Sequence, residues 1–127
     1  MVIDHAAVYT RQLEVLRQFY ETYFGAQAGA LYHNPKTGFS SYFLSFGGTG
    51  RLEIMARPGT SLRPKAEFLC GYAHLAFNLG SRTAVDELTK RLAAAGYRIK
   101  SGPRVTGDGY YESCFFDPDG NEIELVG

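Results

Sequence analysis

The sequence predicts an α+β fold in which two βαβββ modules form a curved, cup-shaped mixed sheet with helices on its outer face. Two observations carry this reading. Strand-like and helical periodicities alternate in one order, and that order then recurs. Matching residues also keep a fixed separation: Gly96 lies 71 positions after Gly25, Gly109 lies 71 after Gly38, Glu124 lies 71 after Glu53, and His74 lies 69 after His5. A period this long, present twice, is an internal duplication and not a solenoid. The 127 residues are read as one domain over 1–127, with module one over about 1–56, a linker over 57–70 and module two over about 71–127.

The elements follow in order. Residues 2–9 have the length and β-branched content of a strand. After Thr10 the period changes, and Leu13, Leu16, Tyr20 and Tyr23 form one stripe of a helix capped by Thr10 and stopped by Gly25. A short strand over 28–32, a turn over 33–38, an aromatic strand over 39–46, a glycine-rich turn and a strand over 51–55 complete the first copy. The second copy runs from a strand over 72–79 to a helix over about 82–95, with Val85, Leu88, Leu92 and Ala95 on one face and Gly96 ending it. A strand over 97–100, a Gly/Pro loop over 101–109, a strand over 110–116, the turn Asp117-Pro118-Asp119-Gly120 and a strand over 121–126 follow. The linker, RPGTSLRPKAEFL over 57–69, holds two of the five prolines.

Composition narrows the function classes. Thirteen Lys+Arg balance thirteen Asp+Glu to a net charge of +0, which leaves no electrostatic footprint for nucleic acid or an anionic membrane. A small-molecule partner is expected. No apolar run approaches a membrane span, and the first residues lack a basic region followed by an apolar core. A cytoplasmic chain is expected. Cys70 and Cys114 form no metal knuckle and are read as buried thiols.

Each copy carries one His in its first strand and one Glu in its last. Ala73, Leu75, Phe77 and Leu79 make an apolar face, so alternation puts His74 on the other. Leu52, Ile54 and Ala56 alternate with Glu53, as Ile123 and Leu125 do with Glu122 and Glu124. His5, Glu53, His74 and Glu124 therefore point away from the helix-packed side. A lone His in a strand is ordinarily a structural residue, and a lone Glu is ordinarily solvated. Placement at matched positions of two copies argues instead for a His₂Glu₂ site for one divalent metal ion, with coordination positions left over.

These residues resemble the vicinal-oxygen-chelate superfamily, the glyoxalase, bleomycin-resistance and dioxygenase family. The motifs are Ile3-Asp4-His5, Leu52-Glu53-Ile54, Gly71-Tyr72-Ala73-His74-Leu75-Ala76-Phe77 and Phe116-Asp117-Pro118-Asp119-Gly120-Asn121-Glu122-Ile123-Glu124-Leu125. The resemblance implies that paired modules form the cup and that a glyoxalase I-like site uses His5, Glu53, His74 and Glu124. Glu122 faces the same way, but internal alignment pairs it with Arg51 and pairs Glu124 with Glu53. Modules in this family pair within a chain or across two, so a homodimer is expected.

A glyoxalase I-like reading makes the chain a metal-dependent isomerase or lyase acting on a small vicinal-oxygen substrate through a metal-stabilised enediolate. Glu53 or Glu124 is then the general base. N/O ligation suits Zn, Ni, Co or Mn. Family members that recognise glutathione use a basic residue four after the first His and an Asn four after the first Glu. Here these positions hold Tyr9 and Arg57, which argues against glutathione as substrate. The alternatives are a metal-free bleomycin-resistance-type binding protein with an aromatic cup of Tyr42, Tyr72, Tyr110 and Phe115, or another metalloenzyme of the superfamily, an epimerase, thiol transferase or dioxygenase. His33 is read as a solvated turn residue, and Arg98, Lys100 and Arg104 as a solvated strand and loop.

Overall fold

Alternating burial along each edge strand shows the duplication most plainly. The structure is a computed structural model that describes residues 1–61 and 70–127. Strand β1 (His5–Tyr9) and strand β6 (His74–Asn78) share one pattern, exposed and half-buried residues in strict alternation. That is the signature of a sheet with one covered face. The chain divides into two compact units, Met1–Pro64 and Lys65–Gly127.

In the first unit β1 leads into helix α1 (Leu13–Phe24), two short strands β2 (Gln27–Ala28) and β3 (Tyr32–Asn34), and the long pair β4 (Phe39–Ser45) and β5 (Arg51–Ala56). The sheet order is β1-β5-β4-β2, with β3 also on β4. Strand β1 runs parallel to β5, while β2, β3 and β5 run antiparallel to β4. Helix α1 buries Leu16, Phe19 and Tyr20 against β4 and β5, whose Leu44, Leu52 and Ile54 are also buried.

The second unit contains β6, helix α2 (Arg82–Ala94), β7 (Ile99–Val105), β8 (Tyr111–Phe116) and β9 (Glu122–Val126). Its order is β6-β9-β8-β7 with β6 parallel to β9, the same connectivity as β1 with β5. Val85, Leu88 and Leu92 of α2 join Phe115, Ile123 and Leu125 in the core. Each helix therefore covers one face of its own sheet.

Several boundaries differ from the expected ones. The first strand starts at His5 and not at residue 2, because among the described residues it pairs with β5 and that pairing begins at His5 opposite Arg51. Thr10 does not cap α1. Its Oγ1 accepts the Gln12 N–H at 2.9 Å, and Gln12, at the cap position, makes no side-chain cap. Gly25 does end the helix, at φ 63. The strand expected over 28–32 is two short strands, interrupted where the Gly29 N–H bonds the Phe43 carbonyl. In α2, Ser81 is the true cap and accepts from Ala84 N–H at 3.2 Å, while Ala95 lies beyond the helix and is exposed.

The largest difference is β7, which continues through the expected Gly/Pro loop to Val105. It is an edge strand with register shifts between Ser101 and Arg104, where a proline without an N–H and an irregular ladder are tolerated. The remaining loop is closed by Thr106, which bonds Tyr110 through backbone and hydroxyl. Of the expected linker, residues 62–69 lie outside the described residues. Arg57–Thr60 form a turn, with Thr60 N–H on the Arg57 carbonyl. Cys70 is exposed and not buried; Cys114 is buried. Among the described residues no helix is long and apolar enough to cross a membrane.

The duplication also extends to a feature that spacing alone did not reveal. Tyr42 on β4 donates its phenol to Glu14 of α1 at 2.8 Å, with Arg17 over its ring. Tyr111 on β8 donates to Asp86 of α2 at 2.7 Å, with Arg82 over its ring. Each helix is thus pinned to its sheet by a tyrosine that reaches a helix carboxylate. Both phenols titrate above their ordinary value because of that hydrogen bond.

Candidate functional site

Strand register decides which side chains share a face. In the first unit Ala7 stands opposite Glu53 and His5 opposite Arg51, and Phe43 stands opposite Glu53 from the other side. His5, Arg51, Glu53 and Phe43 therefore lie on the face away from α1. The His5 Nε2 is 3.9 Å from Glu53 Oε2. Its Nδ1 lies 2.8 Å from Asp4 Oδ2, and Arg51 also donates to that oxygen. A carboxylate at Nδ1 places the proton there and fixes the ring, with Nε2 on the side of Glu53. The His5 and Arg51 hydrogen bonds hold the Asp4 carboxyl below the usual range. Phe43 packs edge-on to His5 at 5.2 Å and carries Arg51 over its ring at 4.5 Å.

The second unit repeats this register: Ala76 stands opposite Glu124 and His74 opposite Glu122. His74 Nε2 lies 3.2 Å from Glu124 Oε2. Glu122 is engaged elsewhere, its two oxygens each 2.8 Å from Lys100 Nζ. Glu122 and Arg51 thus hold equivalent places, as do Glu124 and Glu53, in agreement with the internal alignment. Cys114 stands opposite Glu124 in the ladder. Burial first, and nearby Glu122 second, push its thiol up to about 11, so it is neutral at physiological pH.

The structure thus brings the four sequence-selected residues together as two pairs, one within each unit. Among the described residues no group of three or more His, Cys, Asp or Glu side chains is placed to hold a metal ion. The donor chemistry of each pair nevertheless suits a divalent ion: an imidazole nitrogen and a carboxylate oxygen on one face, and in the first pair a carboxylate that fixes the imidazole from behind. All four are partly screened from solvent, with side-chain exposures of 38% and 15% for His5 and Glu53 and 40% and 21% for His74 and Glu124.

The aromatic cup is corrected by the same parity. Tyr42 stands opposite Ile54 and Phe115 opposite Ile123, which puts both on the helix-covered side. By that parity Phe43, opposite Glu53, and Phe116, opposite Glu122, lie on the ligand face, and Arg98 lies over Phe116 at 3.7 Å. Sequence reading missed Asp4, Phe43 and Phe116; the adjacent aromatics in β4 and β8 look alike whichever residue faces inward. Lys100 and Arg104 are held by Glu122 and Glu112. His33 is exposed on β3, not in a turn, with Nδ1 2.8 Å from Ser40 Oγ.

A duplicated βαβββ chain with a His–Glu pair on the face of each sheet away from its helix defines a recognisable class of proteins. The chain belongs to the Glyoxalase/Bleomycin resistance protein/Dioxygenase superfamily, whose model matches residues 2–125. It is similar to an uncharacterized protein of Pseudomonas aeruginosa, 30% identical over 97% of this chain and 86% of that one. A match of 42% identity over 59 residues to an uncharacterized Bacillus subtilis protein spans 44% of this chain and 46% of that relative, less than half of either. The crystal structure of a glyoxalase family protein from Enterococcus faecalis aligns with a TM-score of 0.81 at 27% identity, covering 99% of this chain and 97% of that one. The trypanothione-dependent glyoxalase I of Leishmania major shares the fold, with a TM-score of 0.79 at 22% identity over 100% of this chain and 86% of that one.

Proposed function

We propose that the chain is a glyoxalase-like metal-dependent enzyme that carries out isomerisation or lyase chemistry on a small substrate bearing adjacent oxygens. The observation that carries this reading is the repeated pair: His5 with Glu53 at 3.9 Å and His74 with Glu124 at 3.2 Å, in the same register on parallel strands. We assign the two pairs, within one chain or across two copies, to one His₂Glu₂ donor set for a divalent ion, zinc, nickel, cobalt or manganese. Membership of the superfamily supports this reading, as do the named glyoxalase neighbours.

When bound, such an ion supplies positive charge for the oxyanion that develops as a carbon beside a carbonyl loses its proton. The chain's own residues do the rest. The Asp4 carboxylate orients His5, and Lys100 keeps Glu122 occupied. Either Glu53 or Glu124 takes the proton from the carbon and returns it at the neighbouring position. Phe43, opposite Glu53 in the ladder, lies beside a carboxylate that is only 15% exposed, and reduced contact with water strengthens charge interactions there. We read both units as one functional domain that works as a homodimer, consistent with sheets that end on the His-bearing strands β1 and β6.

Tyr9 and Arg57 stand where glutathione contacts are expected, so weak or absent turnover of the glutathione–methylglyoxal hemithioacetal is predicted. The test of the chemistry is solvent isotope exchange: metal-loaded protein incubated with small α-hydroxycarbonyl compounds in deuterium oxide should place deuterium on the carbon beside the carbonyl. No deuterium in any processed compound would overturn the proton-transfer reading. Efficient formation of lactoylglutathione would overturn the specificity while keeping the chemistry.

A further inference from the structure

Module one holds its histidine in a way that module two does not repeat. Four side chains of the first unit close a ring of contacts around the imidazole. Asp4 Oδ2 lies 2.8 Å from His5 Nδ1 and also accepts from Arg51 Nη2. The Arg51 guanidinium lies over the Phe43 ring, 4.5 Å from its centroid, and Phe43 returns to His5 edge-on at 5.2 Å. Asp4 and Arg51 are joined a second time through the backbone, where the Arg51 N–H bonds the Asp4 carbonyl at 3.3 Å.

Exposure shows which member keeps this ring closed. The Asp4 side chain is 67% exposed, against 40% for Arg51. Water competes for the oxygens of so open a carboxylate, and a hydrogen bond to one imidazole holds it weakly. A guanidinium is a stronger partner, because its bond to the carboxylate is charge-assisted and its plane can rest on an aromatic face. Without Arg51, Asp4 is free to turn toward water and leave His5 Nδ1.

The second unit keeps the His–Glu pair and loses the ring. Ala73 precedes His74 where Asp4 precedes His5. Glu122 stands opposite His74 where Arg51 stands opposite His5, and Cys114 stands opposite Glu124 where Phe43 stands opposite Glu53. Glu122 in turn is taken by Lys100. Among the described residues, the contacts around His5 are therefore not repeated around His74.

We propose that Arg51 is a positioning residue for the metal site: bonded to Asp4 and resting on Phe43, it fixes the His5 imidazole and makes the first pair the pre-organised half of the donor set. The second pair is the half that adjusts. This rests on the reading of His5 as a metal ligand. An imidazole that is already fixed loses less freedom when an ion binds, and outer partners of metal-ligating histidines change metal affinity by roughly 10- to 100-fold.

The test compares the full-length chain with three variants. Arg51→Met keeps the apolar stem over Phe43 and removes the donor, Arg51→Lys keeps a cation within reach of Asp4, and Lys90→Gln changes an exposed charge on α2. Zinc affinity is measured by chelator competition. Arg51→Met should weaken it by roughly tenfold, Arg51→Lys should recover most of that loss, and Lys90→Gln should leave it unchanged. A long-range proton–nitrogen NMR spectrum of the metal-free chains is then recorded at about pH 8, above the ordinary imidazole range. His5 should show a ring protonated at Nδ1 in wild type and Arg51→Lys, and mixed tautomers in Arg51→Met, with His74 the same in all. Should Arg51→Met fold poorly, Phe43→Leu, which removes the surface under the guanidinium and leaves every polar partner, should move both readouts in the same direction. Zinc bound equally by wild type and Arg51→Met, or an equal loss in Lys90→Gln, would overturn this role and leave metal binding in place. A loss of affinity with no change in the His5 pattern would overturn it too, since the effect would not pass through the ring. Wild-type protein that binds no zinc would overturn the metal reading and this role with it.

Discussion

Replacing Asp117 should loosen the turn that sets the register of both candidate acids in the second unit. Asp117 is 4% exposed, and its carboxylate accepts from Asp119 N–H at 3.0 Å, Asn121 N–H at 2.8 Å and Asn121 Nδ2 at 2.9 Å. The turn is closed by Gly120 N–H on the Asp117 carbonyl and joins β8 to β9 just before Glu122. Asp117→Ala deprives three donors of their acceptor. At about 1 kcal/mol each the loss is about 3 kcal/mol. For a domain of this size that lowers the melting temperature by roughly 10 °C. Asp117→Asn keeps one acceptor oxygen for the two backbone N–H groups but sets an amide against Asn121 Nδ2, so a smaller loss of about 1 kcal/mol is expected. Burial raises the Asp117 carboxyl above its ordinary 3.8, against the Asn121 hydrogen bonds that lower it. The folded state then holds the proton more tightly than the unfolded one, so this group stabilises the fold below 3.8 and the stabilisation is lost as pH rises through the raised value. Thermal melts followed by circular dichroism at pH 7 and across the acid range measure both effects. A melting temperature for Asp117→Ala within about 2 °C of wild type would refute the turn's role. So would a wild-type minus Asp117→Asn difference that moves in favour of the variant as pH falls to 3.8.

Further outcomes follow from the sites. Asp4→Ala removes the acceptor behind His5 Nδ1, and a chelator competition should show metal affinity reduced by roughly 10- to 100-fold; unchanged affinity would remove Asp4 from the site. Thiol labelling at pH 8 should modify exposed Cys70 quickly and Cys114, buried with its thiol pushed up to about 11, only on unfolding. Two equally fast thiols would contradict the burial.

The alternation of apolar residues in the strands made the face assignment of His5, Glu53, His74 and Glu124 legible, because period 2 fixes side-chain direction without knowledge of the neighbours. Strand partners were not legible in the same way. Residues 2–4 look as strand-like as 5–9, but the ladder of β1 with β5 begins at His5 opposite Arg51. β7 runs past Gly102 and Pro103 because it lies at a sheet edge, which composition cannot show. Aromatic residues caused the remaining error. Tyr42 and Phe43 are equally plausible on either face, and only pairing with Ile54 and Glu53 separates them. The role of Asp4 depends on a side-chain contact between neighbours, a level of detail that periodicity does not reach.

The most direct test of the account is the metal content of protein purified without added metal, compared with the variants His5→Ala, Glu53→Gln, Glu124→Gln and Glu122→Gln. The account predicts one divalent ion per His₂Glu₂ set in wild type, loss of most of it in the first three variants, and full content in Glu122→Gln, whose partner is Lys100. Wild-type protein that takes up no ion, or metal kept by Glu124→Gln and lost by Glu122→Gln, would contradict it.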